Sequence, residues 1–239
     1  MEEIKEYIKR ALKINGVDVS EEKLSLLSAY LSELLRVNEY MNLTAVRDPY
    51  SAAVKNIADC AVYAEIIPQN AGLLDVGSGA GLPAFPFAIL RPDIKVTALD
   101  STGKKVNFIS KTAELVGLSN LNAICGRAEE LAFKAEYREK FDAVSARAVA
   151  RLNILSELCL PFVKRGGVFI SMKSRLADTE LSEARGGIST LGGKVIKTEV
   201  SSLRGLDEEL SRTLILVEKC SPTPKQYPRA YAKISSKPL

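Results

Sequence analysis

The sequence predicts an α/β fold, a doubly wound sheet with an amino-terminal helical extension. Three observations predict it. Leu73 to Val76 is a short apolar run of the kind a buried strand needs, and it ends in Gly77, Gly79 and Gly81. There the bare backbone can bend sharply and approach a ligand closely. Phe85 to Leu90 follows as the start of a helix, its free N–H groups aimed back at the turn. A second apolar run, Ile94 to Leu99, ends in Asp100. An acid ~20 positions past such glycines is where nucleotide-binding sheets bond a ribose diol. Thereafter strand-like and helix-like stretches keep alternating, which is the pattern of a single doubly wound domain.

The elements can be taken in order. Ile4, Tyr7, Ile8, Ala11 and Leu12 form a helical stripe that Asn15-Gly16 can stop. Ser20 caps a second helix whose inward face is Leu24, Leu27, Tyr30, Leu31, Leu34 and Leu35. Both stripes read as packing surfaces against the sheet. The run Asn42-Leu43-Thr44-Ala45-Val46-Arg47-Asp48-Pro49 follows, its polar side chains suited to capping or to a site. Tyr50 to Ile67 reads as a helix leading to the glycine turn. After Asp100 come a helix over Lys104 to Val116 ended by Gly117, a strand from Leu121 to Cys125, and Gly126-Arg127-Ala128-Glu129. Phe141 to Ala146 is the fourth strand, with Arg147 at its exit. A helix through Ile154 to Leu160 breaks at Pro161, and Gly166-Gly167 turns into a fifth strand, Val168 to Lys173. A polar helix near 175–185 and two late strands, Lys194 to Ser201 and Arg212 to Lys219, complete the core. The expected division is residues 1–50 as the helical extension, 51–220 as the ligand-binding domain and 221–239 as a basic tail.

Composition narrows the function. The 239 residues are 46% hydrophobic and enough for one sizeable core. A net charge of +4 permits an RNA partner without demanding one. No apolar run reaches the ~18 residues of a membrane span, and the acidic, periodic start does not read as a signal peptide, so a cytoplasmic protein is expected. The four cysteines lie far apart, with no metal-ligand spacing, so no metal is expected. There is no histidine at all, which excludes His-based triads and His-mediated proton transfer. The tail carries Lys225, Arg229, Lys233 and Lys237 with Tyr227 and Tyr231 and no acid. Such a stretch suits phosphate contact and base stacking, or is simply a strapped-down terminus.

The glycine turn separates two cofactors. A dinucleotide fingerprint places its third Gly where this chain has Leu82. The spacing Gly77-x-Gly79-x-Gly81 resembles instead the first motif of the class I S-adenosylmethionine methyltransferases, which share a Rossmann-like sheet. Asp100 suits the ribose of either cofactor, and Ala128 with Glu129 are candidates for the adenine. Carbon-5 methylation of a pyrimidine requires a nucleophilic Cys, and Cys125 and Cys159 are poorly placed for it. Exocyclic base amines are typically served by an Asn/Asp-Pro-Pro-aromatic motif where this chain reads Ser145-Ala146-Arg147-Ala148. A ring nitrogen with a free lone pair, such as guanine N7, needs neither. Arg147 is then expected to hold the cofactor carboxylate, a phosphate or guanine O6.

Over nearly its whole length the chain resembles the RsmG (GidB) family, bacterial guanine-N7 methyltransferases of small-subunit (16S) ribosomal RNA. The residues that carry the resemblance are Asn42 to Pro49, Asp75 to Pro83, Asp100-Ser101, Ser145 to Ala148 and Tyr227-Pro228-Arg229. The resemblance implies S-adenosylmethionine contacts at Gly77, Leu82, Ala128, Glu129 and Arg147, and Asp75, Gly79, Gly81, Asp100 and Ser101 of the same motifs are expected beside them. Catalytic positioning is expected from Arg147, Asn42 and Arg47, with no general base. The expected RNA contacts are Lys104, Lys105, Lys173, Arg229, Lys233 and Lys237, and the expected assembly is a monomer acting on 16S rRNA or the small subunit. The chain departs from the family pattern in three places. Ala84 stands where a Gly is usual, Asn56 and Asp59-Cys60 stand in a His-x-x-Asp-Ser pattern, and residues 230–234 lack a Gly and a second Pro. Other readings that remain open are a methyltransferase for another RNA site or a small molecule, and a ribosome-binding factor that has lost catalysis.

Overall fold

A computed structural model describes residues 2–174 and 178–239. Seven strands form one sheet: β1 (Gly72–Val76), β2 (Lys95–Asp100), β3 (Leu121–Cys125), β4 (Phe141–Arg147), β5 (Val163–Lys173), β6 (Gly193–Arg204) and β7 (Glu209–Lys219). Their order is β3-β2-β1-β4-β5-β7-β6. The first five pair in parallel, and β7 runs antiparallel to both β5 and β6. Because the chain leaves β1 toward β2 on one side and later returns to β4 on the other, a crevice opens at the carboxyl ends of β1 and β4.

The period-2 alternation of the strands builds two cores. Leu73, Val96, Ala98, Ala143 and Ile170 face one layer, formed by α1 (Glu2–Ile14), α2 (Glu21–Met41), α5 (Ala84–Leu90), α6 (Gly103–Val116) and the segment before β1. Leu74, Leu99, Val144 and Phe169 face the other, with α7 (Ala128–Leu131), α8 (Leu152–Cys159), α9 (Asp178–Thr190) and α10 (Tyr231–Ser236). Ser20 caps α2 by accepting from the Lys23 N–H at 3.3 Å. Gly117, at φ +77°, closes α6 as a left-handed cap that a side chain would resist.

Three expectations are corrected. The stretch read as one helix, Tyr50 to Ile67, is broken into α3 (Pro49–Ala52), a π-helical run Ala53–Ala58, α4 (Asp59–Ala61) and a 3-10 turn Ala64–Ile66. Apolar periodicity does not distinguish an α turn from the wider π turn. Gly166-Gly167, read as a turn, lies inside β5. The register shifts between Phe141 and Ala143 there, and Gly166 sits at φ +79°, as at a bulge. The helix at Phe85 ends by Leu90. The polar helix expected near 175–185 begins at Asp178 among the described residues, and 175–177 lie outside them.

Candidate active site

The glycine turn is fastened from two directions. The Gly77 and Ser78 N–H groups donate to Leu99 O at 2.8 and 2.9 Å. Asp100 accepts from the Gly79 N–H at 3.0 Å and, on its other oxygen, from the Thr102 N–H at 2.8 Å. From the opposite side, the buried Tyr30 of α2 donates its O–H to Ala80 O at 3.0 Å and stacks on Phe85, centroids 4.2 Å apart. A side chain at Gly81 would collide with that same Phe85 ring. The amino-terminal helices therefore shape the turn directly.

Outside the turn lies a cleft of about 420 Å³, within the roughly 300–1,000 Å³ of small-molecule sites. Gly77, Asp100, Ser101, Ala128 and Glu129 line it together, as does Tyr231 from the carboxyl-terminal helix. Gly77 is at φ +72°, and a Cβ there would come within 2.7 Å of Val149 Cγ2, so the floor of the cleft must be bare backbone. An elongated nucleoside fits this lining. Asp100 offers remaining lone pairs toward a ribose diol, and the Ala128–Glu129 turn and the Tyr231 ring bound an adenine-sized space.

Several residues expected at the cofactor do not line this cleft. Gly79, Gly81 and Leu82 lie behind its wall, where the glycines serve the turn's own hydrogen bonds and its packing on Phe85. Asp75 is fully buried within β1, accepting from Ser145 Oγ at 2.9 Å while its second oxygen has no partner. Burial pushes its carboxyl up to about 6, only partly offset by the Ser78 and Ser145 hydroxyls and the Arg147 charge.

A second, smaller cleft of about 190 Å³ adjoins the first, and Ala148 lines both. Here stands Arg147, the remaining residue expected at the cofactor. Its Nη1 donates to Asp59 Oδ2 at 3.0 Å and to Lys55 O at 2.9 Å, and its Nε has no partner. Arg212 Nε donates to the other Asp59 oxygen at 2.6 Å. The π-helical run places Lys55 and Asn56 on this wall, α4 adds Asp59, and the carbonyl that Arg147 takes belongs to the π-helical run. A larger hollow of about 570 Å³ lies between Ile14-Asn15-Gly16 and β6, and it shares Tyr63 and Arg212 with the second cleft.

Asn42 and Arg47, expected in catalysis, line neither cleft. Asn42 is the left-handed cap of α2, and it accepts from Arg47 Nη2 at 3.4 Å in an exposed pair. The polar block as a whole caps and ties: Asn38 exchanges two hydrogen bonds with the Thr44 backbone, and Asp48 accepts from the Ser51 N–H. Val46 alone reaches the second cleft.

Of the cations expected on RNA, Lys105 rims the first cleft, and Lys104, Lys233 and Lys237 are exposed. Lys173 is instead half-buried, paired with Glu180 and donating to Ala150 O. Arg229 is bound through Nε and Nη2 to the fully buried Glu157, with Nη2 2.6 Å from Oε2. Both guanidinium and ammonium are thus occupied within the protein, a pairing invisible in sequence because the partners lie on other elements. The tail is strapped down: Thr223 accepts from the buried Lys219, Arg138 donates to the Thr223 and Tyr227 carbonyls, and Ile234 is buried. The sequence groups Tyr231 with RNA stacking, marks Asp59 only through the His-x-x-Asp-Ser pattern, and gives no signal for Arg212 or Tyr30 as site supports, since each acts through a contact distant in the chain.

Comparison with known proteins adds the family. A family model described as rRNA small subunit methyltransferase G (GidB) matches residues 23–210. The ribosomal RNA small subunit methyltransferase G of Lactobacillus delbrueckii subsp. bulgaricus is 45% identical over 214 residues, covering 88% of this chain and 89% of the relative. That of Brevibacillus brevis is 40% identical over 237 residues, 98% and 99% of the two chains. Among solved structures, M. jannaschii TYW2 in complex with AdoMet matches at TM-score 0.55 and 18% identity, over 69% of this chain and 76% of that one. The cyclase SpnF matches at TM-score 0.55 and 16% identity, over 86% and 97%. These two likenesses show the fold, and the difference between their activities shows that the fold alone does not choose a reaction.

Proposed function

Because the chain belongs to the rRNA small subunit methyltransferase G family, we propose that it transfers a methyl group from S-adenosylmethionine to N7 of one guanine in 16S ribosomal RNA. One observation supports the choice of acceptor atom: among the described residues lining the second cleft, the one carboxylate has no oxygen left to take a proton. Asp59 has each oxygen bonded to an arginine. Burial pushes the neighbouring Cys60 thiol up to about 12, so it stays protonated and inert at neutral pH. Guanine N7 has its lone pair available and loses no proton before attack.

The residues then bind and align. Asp100 and Ser101 would hold the ribose, Ala128 and Glu129 the adenine, and the bare Gly77 backbone allows close approach at the middle of the ligand. The bound cofactor supplies an electrophilic methyl on a sulfonium. Arg147, fixed from behind by Asp59 and Lys55 O, stands beside the residue common to both clefts and orients what lies between them. Lys104, Lys105, Lys233 and Lys237 support phosphate contacts around the entrance. With an RNA substrate of the ribosome, the setting is the cytoplasm. No helix among the described residues is long and apolar enough to cross a membrane.

The test is the nucleoside made. Small subunits lacking the modification are incubated with the protein and S-adenosylmethionine, and the RNA is digested for mass spectrometry. 7-Methylguanosine as the new nucleoside is expected; 5-methylcytidine or an amino-methylated base would overturn the reading.

A further inference from the structure

With the cofactor assigned to the first cleft, the second has a specific chemistry of its own. It is bounded by Val46, Asn56, Asp59, Arg147, Met172 and Arg212. Its charged groups are already paired, with one another or with acids outside the cleft. Asp59 lies between the two arginines, Lys55 reaches Glu208 at 2.9 Å, and Lys173 is bound to Glu180. What remains unpaired is donor capacity. Asn56 is 3% exposed and its Nδ2 has no hydrogen-bond partner, and neither has Arg147 Nε. A buried amide left unbonded costs roughly 1–3 kcal/mol unless a ligand completes it. Such a site selects a ligand edge made of acceptors.

We propose that this cleft takes the acceptor base itself, turned out of the RNA strand, with Asn56 Nδ2 donating to guanine O6. The proposal rests on the guanine-N7 reading and deepens it. Guanine carries N7 and O6 as adjacent acceptors on one edge. With N7 turned toward Ala148 and the first cleft, O6 is the atom left to meet a donor. Adenine presents an amino group at the same position, a donor against a donor, and is rejected. The volume, less than half that of the neighbouring cleft, suits one flat ring system. Met172 and Val46 supply apolar surface for its faces, as enzymes that extrude a base require.

The experiment measures methyl transfer to small subunits assembled with either guanine or 2-aminopurine at the mapped position; 2-aminopurine keeps N7 and lacks O6. The intact protein is expected to lose roughly 10–100-fold in kcat/KM on 2-aminopurine. Asn56→Ala is expected to lose a similar factor on guanine, little more on 2-aminopurine, and to bind S-adenosylmethionine within twofold of the original. That non-additivity assigns the contact to O6, which a merely structural role of Asn56 would not produce. Equal transfer to both bases overturns the proposal without needing the variant to fold. Loss of cofactor affinity in Asn56→Ala also overturns it, because the cleft would then hold the cofactor's amino-acid end. A wild-type protein that methylates no guanine at all removes the functional reading and this pocket with it.

Discussion

At the scale of single residues, Asp75 and Asp100 show how burial divides two acids of similar sequence context. Each ends or nearly ends a strand, yet Asp100 opens on the cofactor cleft and Asp75 is sealed beneath it. Since Asp75 has its folded pKa raised from 3.8 to about 6 by burial, the folded protein binds more protons than the unfolded chain between those values. Its contribution to stability is therefore full below pH 3.8 and is lost as pH rises through 6. Asp75→Asn should gain on the wild type by up to about 3 kcal/mol between about pH 4 and pH 7, at about 1.4 kcal/mol per pKa unit. Urea midpoints at the two pH values read this directly, and parallel shifts in both proteins would contradict it. In the sequence, Asp75 was visible as part of a motif but not as a buried one. Motif membership names a neighbourhood, whereas exposure is settled by Ser145 and the strand beside it. Arg229 and Lys173 were legible as cations for the same reason, and Glu157 and Glu180 as their partners were not.

At the scale of elements, α2 and α10 stand on opposite sides of the strand exits and each acts on the cofactor cleft. Tyr30→Phe deletes the O–H that meets Ala80 O and leaves a buried carbonyl short of a partner, at a cost of about 1–3 kcal/mol. Denaturant unfolding should show that loss together with weaker S-adenosylmethionine binding, and unchanged stability would mean the turn is held by Asp100 alone. On the other side, Arg229 and Glu157 hold the tail so that Tyr231 reaches the cleft wall. Tyr231→Ala should weaken cofactor binding roughly 5- to 100-fold by calorimetry, the worth of an aromatic platform under a base. Unaltered affinity would return Tyr231 to a role outside the cofactor site. The helical stripes of α1 and α2 were legible because 3.6-residue periodicity survives in any context. The π-helical run was not, because apolar spacing reads the same for both turns, and the Arg147 that donates to its Lys55 carbonyl lies 92 residues away.

At the scale of the molecule, the fold class was legible from the glycine turn, the acid-tipped second strand and the strand–helix alternation, since each is a local pattern with one architectural solution. Two late strands were legible in the same way, and the structure adds that they pair antiparallel. What a sequence does not display is that the strand exits open two adjoining clefts joined at Ala148, one that we assign to the cofactor and one with two unpaired donors, Asn56 Nδ2 and Arg147 Nε. Lys233 of the tail helix and Lys237 at its end are exposed, and we assign them to RNA phosphates. Lys233→Ala combined with Lys237→Ala should weaken RNA binding and reduce its salt slope by about 1 for each phosphate that a lysine no longer neutralises. A slope that does not move would exclude the tail helix from the RNA path. The measurement that tests the two-cleft arrangement most directly is a crystal structure with S-adenosylhomocysteine bound. The adenosine is expected in the cleft between Gly77, Asp100, Ala128–Glu129 and Tyr231, with the sulfur directed toward Ala148. Adenosine found among Asn56, Asp59 and Arg147, or a sulfur directed away from Ala148, would contradict it.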